Sequence, residues 1–181
     1  MKSDKVLILI DVQKGFHDVY WGKRNNPEFE ANITCLLDSW RKQSLPIIHI
    51  QHQSLEANSP LRPDRPGCQF MDFATPQEGE TIIAKNVNSG FIGTQLESHL
   101  RQNNLTNLFL AGLTSDHCVS TTARMAANLG FKVSIIADAT ATFDRMTAGG
   151  KSIPAELVHE VSLASLHQEF AQVITTQHIM L

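Results

Sequence analysis

Apolar residues follow two patterns along this chain, and the two alternate. Val6-Leu7-Ile8-Leu9-Ile10 is an unbroken apolar run, the pattern of a strand buried on both faces of a parallel sheet. Pro27 to Gln43 instead spaces Phe29, Ile33, Leu36, Leu37 and Trp40 three and four residues apart, which predicts a helix. Pro46 to Gln51 reads as a second strand and Thr81 to Lys85 as a third. Thr94 to Asn103, with Leu96 and Leu100 four apart, reads as a helix, and Asn107 to Ala111 as the fourth strand. A helix from Cys118 to Leu129 follows, closed by Gly130, then a strand over Lys132 to Ala137. Ile153 to Phe170 reads as a helix and Gln172 to Thr175 as a last short strand. Lys14 to Asn26 and His52 to Glu80 read as loops, the second long enough to be functional or to hide short elements. Strands alternating with helices imply βαβ units with right-handed crossovers. The fold class is therefore α/β, three layers in one domain over residues 1–181.

Composition narrows the function classes. The 181 residues are 42% hydrophobic and 18% charged, with a formal net charge of −3. No dense Lys/Arg block is present, which speaks against nucleic acid, and no apolar run reaches membrane-spanning length. Met1-Lys2-Ser3-Asp4-Lys5 runs straight into the first strand, so no signal peptide is expected. The three cysteines, Cys35, Cys68 and Cys118, are widely spaced and odd in number. They suggest neither a disulfide framework nor a zinc cluster, and they fit a reducing cytoplasm.

Chemistry concentrates where strands end. The first ends at Asp11, the third at Lys85, and the fourth at the Gly112 turn that leads to Cys118. In an open α/β sheet these carboxyl-terminal ends converge on the ligand-binding edge. A thiol in the first turn of a helix, beside an ammonium, is expected to have a lowered pKa. A nearby carboxylate can take the thiol proton and later return it to a leaving amine, while backbone N–H groups at the turn can cradle an oxyanion. An inert buried cysteine and a structural Asp–Lys ion pair are the competing readings.

Several stretches together resemble the isochorismatase-like cysteine hydrolases, which include nicotinamidases and carbamoyl amidases. They are Ile10-Asp11-Val12-Gln13-Lys14-Gly15-Phe16, Ser59-Pro60-Leu61, Lys85 to Phe91, Ala111 to Ala127, and Asp138 to Phe143. The resemblance implies a doubly wound, six-stranded parallel sheet in the order 3-2-1-4-5-6, and a homo-oligomer, dimer or tetramer. It implies a catalytic triad of Asp11 as general base and then acid, Lys85 stabilising the thiolate, and Cys118 as nucleophile. It also implies a cis peptide at Leu113–Thr114 that would turn the Thr114 N–H toward the Cys118 N–H as an oxyanion hole. The expected reaction is cleavage of a linear amide or carbamoyl C–N bond of a small molecule, with no cofactor. A vinyl-ether hydrolase and a non-catalytic oligomeric binding protein are the alternatives; enzymes of the first kind lack the nucleophilic cysteine.

The same resemblance raises the question of metal, since some nicotinamidases place Asp and His ligands after the second strand. Here that region offers His49 and His52, which a strand would point to opposite faces, so they read as polar lining and no metal is expected. His117 is set aside as a packing or interface residue, because neighbours on an α-helix diverge by about 100°. Asp116 reads as a helix cap. Phe16, Trp21, Gln51, Phe91 and Phe143 follow strand ends and are expected to line a partly apolar substrate cleft. Arg62 and Arg65 in the long loop are candidates for an anionic substrate or a neighbouring subunit, and Asp144-Arg145 for a surface ion pair.

Overall fold

A computed structural model describes residues 3–180. In chain order it contains β1 (Lys5–Ile10), α1 (Phe29–Lys42), β2 (Ile47–His52), β3 (Thr81–Lys85), α2 (Leu96–Gln102) and β4 (Asn107–Leu113). A π-helical turn, Ser115–Val119, leads into α3 (Ser120–Asn128). Then come β5 (Lys132–Ala141), a small ribbon of β6 (Arg145–Met146) and β7 (Ser152–Ile153), α4 (Ala155–Leu166), β8 (Gln172–Ile174) and α5 (Thr176–Met180). Among the described residues, no helix is long and apolar enough to cross a membrane.

Six strands form one parallel sheet in the order β3-β2-β1-β4-β5-β8, the doubly wound order expected. β1 lies inside this sheet, and its continuous apolar run is divided between two cores. Val6, Ile8 and Ile10 face a cluster shared with Leu96, Leu100, Ala123, Ala126 and Leu163. Leu7 and Leu9 face the other, built on Phe29, Ile33, Leu36, Leu37 and Trp40 of α1. Period-2 alternation thus buries every position of the strand because both faces are covered. At Gly112 (φ +123°) the backbones of β1 and β4 come together: a Cβ there would stand 2.1 Å from the Ile10 carbonyl oxygen. Only glycine fits that junction.

Several boundaries differ from the sequence reading. β2 runs one residue further, to His52, in register with Lys85. β5 continues past Asp138 to Ala141 and, after a register shift, pairs Thr140 with Gly112 and Ala141 with Leu113. Asp138 is satisfied from afar: its Oδ1 accepts from the Thr176 N–H and hydroxyl, and Asn32 donates to its carbonyl. α4 is shorter than expected at both ends. Ile153 is held in the antiparallel ribbon opposite Arg145, and Pro154 then opens the helix. Asp144 Oδ1 accepts the Ala155 N–H at 2.8 Å, so Asp144 serves α4 rather than a surface pair with Arg145. The long loop conceals two short 3₁₀ turns, Pro66–Cys68 and Asp72–Ala74. It folds down against the β1 exit, where a Cβ on Gly67 would stand 2.8 Å from the Gly15 Cα.

Candidate active site

The parallel sheet brings three strand exits to one edge. Asp11 leaves β1 with φ +54°, a left-handed conformation that aspartate tolerates better than most residues. Its side chain is fully buried. Lys85 ends β3 and is equally buried, with Nζ 2.8 Å from Asp11 Oδ2 and 3.3 Å from Cys118 Sγ. The third N–H of the ammonium is donated to His52 Nδ1 at 2.9 Å. Three donors therefore meet three acceptors, as a buried ammonium requires. Because Nδ1 accepts, the His52 ring carries its hydrogen on Nε2. Burial and the Lys85 charge lower the His52 pKa, so this imidazole is neutral at pH 7.

Gln51, His49 and His52 were all expected as lining after the second strand, and of the three the structure puts only His52 in the cleft. Gln51 Nε2 donates to the Cys68 carbonyl at 2.9 Å, outside the cavity lining. The reason is the one-residue extension of β2, since neighbouring strand residues face opposite sides. Gln13, fully buried, fixes His52: Nε2 donates to the carbonyls of His52 and Cys68, and Oε1 accepts the His52 N–H at 2.8 Å. His49, on the opposite face, bonds Glu80 Oε2 at 2.7 Å and has no part in the cleft.

The nucleophile turn is braced from outside the sheet. The Leu113–Thr114 peptide is cis, as the resemblance implied. From Thr114 the chain enters the π-helical turn, closed by the Val119 N–H donating to the Thr114 carbonyl at 3.1 Å. Ser115 Oγ is 2.6 Å from His159 Nδ1 of α4. Asp116 does not cap the helix; it accepts from Arg145 Nε at 2.6 Å and from Thr142 Oγ1 at 2.6 Å. Arg145 also reaches Thr114 Oγ1 at 3.4 Å. Burial raises the Asp116 carboxyl, but the bonds from Arg145 and Thr142 outweigh it and hold its pKa down to about 2.

Over this floor opens a cavity of about 310 Å³. Asp11, His52, Thr114 and Cys118 lie at its base, with Phe16, Tyr20, Trp21 and Leu61 as apolar wall and Ser54, Glu56, Ser59, Asn88 and His117 as polar wall. Of the aromatic residues expected in the lining, Phe16 and Trp21 are there. Phe143 is buried one layer back, stacked on Phe16 and Trp21 with ring centroids 6.0 and 5.8 Å away. Phe91 belongs to the core beside Phe131. Tyr20, Glu56 and His117 are additions. Adjacent side chains can share the cavity at His117 and Cys118 because the turn is π-helical rather than α-helical, so a 100° step does not describe it. Arg62 pairs with Asp64 and Arg65 donates to the Ala57 and Asn58 carbonyls, so neither lines the cavity.

Two electrostatic features bear on the chemistry. Burial first, and then the Asp11 carboxylate, push the Cys118 thiol pKa well up, outweighing the Lys85 ammonium. The resting group is a thiol, contrary to the lowered pKa expected from its place in the sequence. Second, Asp11 Oδ1 is buried and has no hydrogen-bond partner among the described residues, which leaves its lone pairs free to accept a proton. Asp11, His52 and Cys118 also bring three ligand-type atoms within 4.8 Å of one another, a spacing that alone would suit a cation. The set does not fit one. The Lys85 ammonium touches all three atoms, and the sulfur retains its proton.

Comparison with known proteins agrees with this geometry. The isochorismatase domain matches residues 5–178. The isochorismatase family protein YrdC of Bacillus subtilis, itself uncharacterized, is 44% identical over 180 residues, covering 99% of this chain and 96% of its own. The crystal structure of an isochorismatase-family protein from Chromobacterium violaceum superposes with a TM-score of 0.94 at 44% identity, covering 99% of this chain and 94% of that one. Nicotinamidase 3 of Arabidopsis thaliana is 26% identical over 181 residues, covering 93% of this chain and 83% of its own.

Proposed function

The chain belongs to the isochorismatase family of hydrolases, and on that footing we propose that it is a metal-independent cysteine amidohydrolase. It cleaves a linear amide or carbamoyl C–N bond of a small molecule. The observation that carries this reading is the Lys85 ammonium, in contact with both Asp11 Oδ2 and Cys118 Sγ, the two groups that line the cavity above it.

Each residue then has one task. Cys118 Sγ attacks the carbonyl carbon as its proton passes to Asp11, whose Oδ1 is free to receive it. Proton transfer accompanies attack because the resting sulfur is a thiol, and Lys85 stabilises the negative charge as it develops on sulfur. The carbonyl oxygen becomes an oxyanion facing the N–H groups of Thr114 and Cys118, where each donor is worth about 10²–10³ in rate. When the tetrahedral intermediate collapses, the C–N bond breaks and the amine leaves with the proton from Asp11. Water then attacks the thioester carbon, giving its proton to Asp11, and the C–S bond breaks. Asp11 returns the proton to sulfur. Phe16 and Trp21 pack the apolar part of the substrate, and His52 holds the ammonium in place.

The test is release of ammonia or amine from a panel of small amides, ureido acids and N-carbamoyl compounds. Chelator-resistant release that is abolished in Cys118→Ala is the expected result. Release that survives the substitution would overturn the covalent mechanism, and no release from any member of the panel would favour the ether-hydrolase or binding-protein readings.

A further inference from the structure

We infer that the cavity selects substrates by charge, taking an amide whose other end carries an ammonium or guanidinium group and rejecting one that carries a carboxylate. This inference rests on the amidohydrolase reading for the reaction but on separate residues for the selection.

Charges around the cavity cancel except for one carboxylate. Asp11 and Lys85 neutralise each other in direct contact. His52 is buried beside the Lys85 ammonium and is neutral, while the half-exposed His117 lies against the Asp116–Arg145 pair, its Nε2 3.4 Å from Asp116 Oδ2. Cys118 rests as a thiol. That leaves Glu56, which lines the cavity, is exposed, and has no ion-pair partner among the described residues. Its carboxylate lies close enough to act on the His52 ring. No arginine is among the described residues lining the cavity. The guanidinium tied to the nucleophile turn, Arg145, is neutralised by Asp116. Arg62 and Arg65, the loop cations the sequence offered for an anionic substrate, are engaged with Asp64 and with backbone carbonyls.

A carboxylate entering this space would lose water, meet no fixed cation, and approach the like charge of Glu56. An ammonium would gain that charge. The apolar wall of Phe16, Tyr20 and Trp21 suits the carbon chain between the two ends. The indole N–H is already donated to the Gly15 carbonyl at 2.9 Å, so Trp21 offers the ligand only its ring.

Charged thiol reagents test this without knowledge of the substrate. Methanethiosulfonates bearing an ammonium, a methyl or a sulfonate group are reacted with the native protein, and modification of Cys118 is followed by peptide mass spectrometry. Rates are normalised to those of 2-mercaptoethanol, and Cys35 serves as an internal reference. The ammonium reagent is expected to modify Cys118 roughly three- to tenfold faster than the sulfonate reagent, an effect of one charge at short range. Glu56→Gln should bring that ratio near one, Glu56→Lys should invert it, and added salt should narrow it. Equal normalised rates in the native protein would overturn the inference. So would a ratio that persists in Glu56→Gln, or a Cys118 that none of the three reagents reaches. A parallel set of amides on one skeleton, ending in ammonium, methyl or carboxylate, separates the two readings. Hydrolysis led by the carboxylate member would sink the charge selection and leave the amidohydrolase standing. No hydrolysis of any member, with the reagent order intact, would do the reverse.

Discussion

Replacing Asp116 with asparagine probes how the nucleophile turn is held. The side chain is mostly buried and takes three hydrogen bonds, two from Arg145 and one from Thr142. Its pKa falls from 3.8 to about 2, and a lowered carboxylate stabilises the fold wherever it is ionised in the native state. That contribution is fully present above the unfolded value and is lost as the pH falls through the folded one. The difference corresponds to about 2.5 kcal/mol at pH 7, little changed at pH 5, about half gone by pH 3, and absent below pH 2. Asp116→Asn should therefore unfold in urea with a free energy about 2–3 kcal/mol smaller than wild type at pH 7. The gap should shrink steadily between pH 5 and pH 3. Comparing variant with wild type at each pH cancels the other acid-sensitive groups, notably Glu80, whose pKa is also held near 2 by Arg41, the Gln77 N–H and His49. A gap below about 0.5 kcal/mol at pH 7, or one that stays constant down to pH 3, would refute the idea that this ion pair braces the turn.

Other consequences follow from single contacts. Gly112→Ala sets a Cβ against the Ile10 carbonyl at a backbone conformation alanine rarely adopts. It should cost at least about 2–3 kcal/mol in denaturant melts or prevent accumulation of folded protein. Lys85→Met strands the buried Asp11 carboxylate, so stability should fall by about 3–5 kcal/mol, with amide hydrolysis lost in the steady-state assay. His52→Leu removes one acceptor from the ammonium; it should cost about 1–3 kcal/mol in the same melts, and His52→Gln should recover part of that.

Much of the sheet was legible because a strand covered on both faces has to be apolar at every position. The first four strand exits, and so Asp11, Lys85 and Cys118, could be located before any contact was known. What stayed hidden depends on distant partners. The second half of β5 carries Asp138 and Thr140, which read as loop residues until Thr176 binds the Asp138 carboxylate and Asn26 and Asn32 donate to the Thr140 and Asp138 carbonyls. Gln51 and His49 fall outside the cleft because β2 continues to His52 and turns them to the opposite face. Asp116 and His117 depart from α-helical rules because the turn that carries them is of the π type. The rise in the thiol pKa was equally out of reach, since burial of Cys118 is a property of the assembled loops and exceeds the pull of the ammonium.

Acid quenching during turnover, followed by mass spectrometry of the Cys118 peptide, detects an acyl group carried on sulfur. With a hydrolysed amide, wild type should show a mass increase on Cys118 equal to the acyl group without its amine, cleared by hydroxylamine as a thioester is. Cys118→Ser should release no amine at a comparable rate. Turnover in wild type with no acyl group on Cys118, alongside undiminished turnover in Cys118→Ser, would contradict the account.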